Sequence, residues 1–136
     1  MRASGDEDRI VAAISERIAG YCVELTTGRD ANRVRDYYTE GAVVIGPDMQ
    51  MGASDVAEFM RGLFDTGVEI KVDRQTAELF VHGDVAYELA TAEDTLLYAD
   101  GSEHAIRNNM FIRWEKGSDG LWRFARVLLS PMDAAG

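Results

Sequence analysis

The chain has 136 residues, 46% of them hydrophobic and 28% charged, the composition of one globular domain that buries a core without staples. Its 24 acidic and 14 basic residues leave a net charge of −10, and the scattered Lys and Arg argue against nucleic acid and anionic membrane surfaces as partners. One cysteine, Cys22, excludes an internal disulfide and fits a reduced, cytoplasmic setting.

No segment approaches the roughly 20 apolar residues of a membrane span. The charged start, Met1 to Asp8, lacks the apolar core of a signal peptide. Ser4 and Glu7 form a possible capping box, with Asp6 as the competing cap. Ile10, Val11, Ile14, Ile18, Tyr21, Cys22 and Leu25 then recur at helical spacing. The first helix is predicted over about residues 7–27, with Gly28 as its stop signal. Asp30 caps a second, short helix whose buried side holds Val34, Tyr37 and Tyr38 and which ends at Gly41. Ala42–Ile45 reads as a short buried strand, and Gly46-Pro47-Asp48 as a turn. Ser54 is the candidate cap of a third helix, with Val56, Phe59, Met60, Leu63 and Phe64 on its apolar face and Gly67 at its end.

The period then changes to two. Val68, Ile70 and Val72 carry the apolar phase at even positions, and Ala77, Leu79 and Val81 carry it at odd ones. A one-residue slip reverses the faces of a strand, so a β-bulge is predicted near residues 73–76. Strands follow over 85–98, 103–115 and 121–130, joined by short turns at His82-Gly83-Asp84, Ala99–Ser102 and Lys116–Gly120. Short turns dictate an antiparallel meander. Strands of about 14 residues span about 45 Å and must curl around something, and the helices are what is available.

The order of elements is that of the NTF2-like superfamily, and local residues resemble it too. Val34 to Val43 is similar to the family's short helix ending in Tyr-x-x-Asp-Ala-Val. Gly52 to Phe59 resembles its Gly-x-x-x-Ile-x-x-Phe helix, and His82 to Tyr87 its Gly-Asp-x-Ala hairpin. Phe111–Trp114 and Asp119–Phe124 resemble its terminal hairpin. The resemblance covers residues 1–136 as a single SnoaL-like, ketosteroid-isomerase-like domain. It implies an α+β fold: a cone-shaped, curved antiparallel sheet packed on three helices around an internal pocket. The superfamily holds isomerases, cyclases, hydrolases, dehydratases and non-enzymatic domains, so the fold does not give the function.

Tyr21 stands where the resemblance places the tyrosine that donates to a developing enolate in ketosteroid isomerases, and a buried phenol suits that role. The general base of those enzymes falls at Gly46, before Pro47; Asp48, beyond the proline, is a turn residue. This departure argues against authentic steroid isomerisation. Their second donor falls near Asn108–Met110, where Asn108 or Asn109 would assist. Adjacent strand residues face opposite ways, so one of the two faces inward. Arg107-Asn108-Asn109 has the spacing but not the carboxylate of limonene-type epoxide hydrolases.

On the long strand, Ala86, Glu88, Ala90, Ala92 and Asp94 share one face. Small residues between acids suit a pocket wall, and desolvation would raise either acid toward general-base range. His82 and His104 lie near strand ends and read as solvated, and no cluster of His, Cys or carboxylate residues has metal-site spacing. No phosphate loop or dinucleotide fingerprint occurs, so no cofactor is expected. Tyr38, Met60, Phe64, Phe111, Trp114 and Phe124 are candidate walls for an apolar small molecule.

Two functions fit. One is a cofactor-independent acid–base enzyme, a cyclase or isomerase acting on an apolar, polyketide-like carbonyl compound in natural-product biosynthesis. Tyr21 polarises the carbonyl, Asn108 or Asn109 assists, and Glu88 or Asp94 moves the proton. The other is a non-catalytic binding or association domain. In either case the apolar outer face of the sheet predicts a homodimer.

Overall fold

The computed structural model describes residues 3–132. The first helix, α1 (Ala3–Val23), starts earlier than predicted and contains Asp6 in its first turn. The expected Ser4–Glu7 capping box rests on a side chain outside the described residues. Ile14 on the apolar stripe is fully buried, and Ile10, Ile18 and Tyr21 pack beside it against the core. Burying a side chain such as Ile14 contributes ~1.5–3 kcal/mol. The helix ends in a wide π turn over Glu24–Gly28, closed by Arg29, whose φ is 55° and whose N–H donates to the Glu24 carbonyl at 2.6 Å.

Asp30 caps α2 (Ala31–Arg35) as predicted, its Oδ1 accepting from the N–H groups of Asn32 and Arg33 at 2.9 and 3.3 Å. The helix stops before the tyrosines. Tyr38 opens strand β1 (Tyr38–Gly46), longer than the predicted Ala42–Ile45. The Phe124 N–H donates to the Tyr37 carbonyl at 2.8 Å, so bonds from a distant strand override a local pattern that fitted either period. A short strand absent from the sequence reading, β2 (Met49–Gly52), returns beside β1 through the Pro47-Asp48 turn. Asp48 takes a left-handed φ of 61° there.

Helix α3 (Ala53–Asp65) is capped differently from the expectation. Ser54 lies inside it, and the Asp55 carboxylate reaches back to accept from the Gly52 N–H at 2.9 Å. Four long strands follow, β3 (Glu69–His82), β4 (Val85–Leu97), β5 (Glu103–Lys116) and β6 (Trp122–Pro131). The predicted bulge exists slightly later, with Ala77 left out of the pairing between Thr76 and Glu78.

The sheet order is β2-β1-β6-β5-β4-β3. β3 to β6 form the expected antiparallel meander, but β1 runs parallel to β6, so the six-stranded sheet is mixed. The chain leaves β1 through β2 and α3 to the far edge, and the meander brings β6 back beside β1 in the same direction. The inner face supplies Ile70, Ala86, Ile112, Trp114, Phe124 and Val127 to one core with the helices. No helix among the described residues is long and apolar enough to cross a membrane.

Candidate active site

Glu88 is completely buried on the inner face of β4. Its Oε1 accepts from Arg74 Nη2 at 2.8 Å and from Trp114 Nε1 at 2.9 Å. Its Oε2 accepts from Arg74 Nη1 at 2.7 Å and from the Thr76 hydroxyl at 2.5 Å. A carboxylate offers about four lone-pair sites, and here each has a donor. Burial pushes the Glu88 carboxyl upward, but the Arg74 guanidinium and the Thr76 and Trp114 donors outweigh it and hold it below the usual glutamate value. Glu88 is therefore an anchor, which corrects its reading as a proton carrier: a base needs a free lone pair and an affinity for protons, and this one has neither.

Tyr21 from α1 and Tyr38 from β1 meet hydroxyl to hydroxyl at 2.7 Å, where either can donate. Their rings pack on Phe124, each with its centroid 5.0 Å from the Phe124 ring, and Phe124 in turn packs on Trp114 at 4.3 Å. An aromatic chain thus connects the phenol pair to the Glu88 anchor. Burial raises both phenols. Tyr21 goes well above its ordinary value, and Tyr38 is pushed up to about 12 because the bond from Tyr21 and the charge of Arg74 partly offset its burial.

Asp94 lies on the same face of β4, nearer its end, beyond Ala90 and Ala92. Burial raises its carboxyl above the usual aspartate value, and the charge of Arg74 only partly opposes this. Its field acts on both tyrosines and on Cys22. Among the described residues no side chain donates to it. Asp94 is thus the reachable, unpartnered acid, and Glu88 the saturated one.

The register places the remaining candidates. Asn108 pairs with Ala92 and is half-buried on the inner face near Asp94. Asn109 pairs with Thr91 and is exposed on the outer face, which corrects its reading as a donor. Phe111 is likewise turned outward by the two-residue period, 44% exposed and stacked on Tyr87, and it is no wall of an inner pocket. Met60 is core. Phe64 touches the core from a surface cleft beside Arg29 and Arg61, with the Arg29 guanidinium 4.9 Å above its ring. Trp114 and Phe124 are buried, and Trp114 acts through its N–H as well as its ring. Among the described residues no group of His, Cys, Asp or Glu could hold a metal ion.

Arg74, the centre of the site, was absent from the sequence reading. Its signal was nevertheless present: an arginine in the apolar phase of β3, in step with Ile70 and Val72, while a glutamate occupied the buried phase of β4. Two opposite charges on inward phases of neighbouring strands predict a buried pair.

No sequence-family description matches the chain, and no curated protein matches it. Solved structures do. A candidate scytalone dehydratase from Novosphingobium aromaticivorans superposes with a TM-score of 0.85 at 16% identity, covering 95% of this chain and 88% of that one. A ketosteroid isomerase-like protein from Erwinia carotovora gives 0.71 at 23% identity, over 90% and 95%. A candidate calcium/calmodulin-dependent protein kinase II association domain from Xanthomonas campestris gives 0.70 at 18% identity, over 93% and 89%. The chain has the NTF2-like fold. Isomerase-like, dehydratase-like and association proteins all share it, and the chemistry of this chain rests on its own residues.

Proposed function

We propose that the protein is a cofactor-independent acid–base enzyme acting on an apolar carbonyl compound, of isomerase or cyclase type. One observation carries this reading: an unpartnered, desolvated Asp94 lies within electrostatic reach of a buried pair of tyrosine hydroxyls. The Asp94 carboxylate takes a proton from the carbon next to a carbonyl. The C–H electron pair moves into the carbonyl, and the enolate oxygen accepts a hydrogen bond from the phenol pair. Asp94 then returns the proton to another carbon of the same molecule, or the enolate carbon attacks a second carbonyl, closes a ring, and the Asp94 carboxyl protonates the alkoxide left on the attacked carbonyl. In both outcomes the carboxylate is regenerated. Asn108 is the further donor on the inner face.

Hydrogen–deuterium exchange at the α-carbon of a neutral aromatic ketone such as 2-tetralone, followed by NMR in deuterated buffer, tests the proton transfer. The wild type accelerates exchange over buffer, Asp94→Asn abolishes the acceleration, and Tyr38→Phe reduces it by roughly 10²-fold or more. A wild type no faster than Asp94→Asn removes the assignment. The rival is a non-catalytic binding or association role, favoured by the use of Glu88 as an anchor and by the association domain among the similar structures. It predicts ketone binding, or none, without exchange.

A further inference from the structure

We infer that Arg74 binds the substrate and that the substrate carries a second oxygen for it: a 1,3-dicarbonyl compound whose reacting carbon lies between two carbonyls. This rests on the proton transfer proposed at Asp94 and adds a second binding group to it. Arg74 projects from β3 with a side chain only 6% exposed. A guanidinium carries five N–H donors in a planar fork. Glu88 takes the end of that fork at 2.7 and 2.8 Å, and the Thr76 hydroxyl lies 3.4 Å from Nη1. The side edge, formed by Nε and the second hydrogen of Nη2, meets no acceptor among the described residues. It is not sealed in the core: the fully buried side-chain atoms without a partner there are Glu24 Oε1 and Arg113 Nε.

The surroundings of that edge select its ligand. The register sets Val72 against Asp94 and Arg74 against Ala92, so Arg74 and Asp94 are diagonal neighbours on one face of the sheet. The charge of Arg74 reaches Asp94 on β4, Tyr38 on β1 and Cys22 on α1. Among the described residues, however, its ion pair is with Glu88 and not with Asp94. A fixed cation and a desolvated carboxylate thus face one space without touching. Asp94 and Asn108 beside it are half-buried, and Ala90 and Ala92 contribute only methyl groups to the wall between. A ligand carboxylate in this gap would set a second negative charge beside Asp94. A carbonyl oxygen is a neutral acceptor that gains charge only as the proton leaves, when the Arg74 bond strengthens. Asp94 takes the proton from the carbon between the two carbonyls, and the C–H electron pair spreads over both oxygens. The phenol pair donates to one oxygen and Arg74 to the other, while the proton stays on Asp94 until it is returned. Base strength agrees with this substrate class. A carboxylate is a weak base even when burial raises it, and a carbon flanked by two carbonyls gives up its proton far more readily than one beside a single ketone.

Titration calorimetry of the full chain with 2-acetyl-1-tetralone and 2-ethyl-1-tetralone tests this, because the two ligands match in size and differ in the second oxygen. The wild type binds the diketone at least roughly 10-fold more tightly, the contribution of one charge-assisted hydrogen bond. Arg74→Lys keeps the charge but has no side edge, and it brings the two affinities within about 2-fold of each other. The double variant Arg74→Met with Glu88→Leu removes both charges together, loses the preference in the same way, and supplies the answer if Arg74→Lys does not fold. Asp94→Asn keeps the preference while losing proton exchange, so a wild type without exchange leaves this binding test standing. Equal affinities in the wild type, or binding of neither ligand, overturn the inference even where ketone exchange is found. So does a preference that survives in folded Arg74→Lys or in the double variant.

Discussion

Arg74 and Glu88 meet across β3 and β4 through two parallel hydrogen bonds of 2.7 and 2.8 Å, with side chains 6% and 0% exposed. Such a pair gains little net stability, because desolvating both ions consumes most of the attraction, but removing one partner leaves a bare charge in the core. Arg74→Met and Glu88→Leu should each cost about 3–5 kcal/mol in urea unfolding. The double variant should recover much of that loss, because neither charge then remains. Single losses below about 1 kcal/mol would show that water reaches the pair.

Asp94 and Glu88 make opposite contributions to the pH dependence of stability. Glu88 is held below its ordinary value of 4.5, so its contribution is full above that value and is lost as pH falls through the lower folded-state value. Asp94 is held above its ordinary value of 3.8. Its charge therefore opposes folding, fully so above the raised folded-state value, and the penalty vanishes as pH falls below 3.8. Asp94→Asn should accordingly raise the melting temperature near about pH 7 and have little effect near about pH 3. A variant equally or less stable at both pH values would mean that Asp94 is solvated or paired. The ketone exchange rate of the wild type should rise with pH through that same raised value, where the carboxylate forms.

How far the site was legible follows from what each residue answers to. Tyr21 and Asp94 were readable because each obeys the period of its own element: one the helical stripe, the other the even face of a long strand. Asn108 and Asn109 could be separated only by register. The pairing of Asn108 with Ala92 depends on how β4 and β5 align over their whole length, which local sequence does not fix. Tyr38 was misplaced for the same reason, since a strand more than eighty residues away along the chain decides that it is extended. The bulge at Ala77 was detectable as a phase change, because a shift of one residue leaves its trace in the alternation itself. The parallel pairing of β1 with β6 also had no local trace.

The π turn makes a steric prediction. A Cβ at Gly28 would collide with the Glu24 carboxylate, which is itself buried with Oε1 lacking a partner among the described residues. Gly28 itself is exposed and the obstacle is the free end of a side chain, so Gly28→Ala should push the carboxylate aside and cost less than about 1 kcal/mol. Combining it with Glu24→Ala should restore most of that loss by freeing the space. Additive losses in the double variant, measured by thermal melting, would place the strain elsewhere.

The tyrosine pair makes the sharpest prediction, because its two members respond in opposite directions. Burial raises both phenols, Tyr38 to about 12 and Tyr21 well above its ordinary value, so Tyr38 ionises first and Tyr21 then donates to its phenolate. In the neutral pair either hydroxyl can donate, and the one that accepts presents its own proton to a bound oxyanion. Tyr21→Phe should move the ionisation of Tyr38 further above about 12, and Tyr38→Phe should bring that of Tyr21 down. Alkaline titration by ultraviolet absorbance reads both shifts. Each substitution should cost about 0.5–1.5 kcal/mol of stability, the net value of one hydrogen bond. Ketone exchange should fall in both Tyr21→Phe and Tyr38→Phe, and more in the variant that loses the terminal donor, because the other removes only its polarising neighbour. Unchanged exchange in both variants would remove the phenol pair from the oxyanion site.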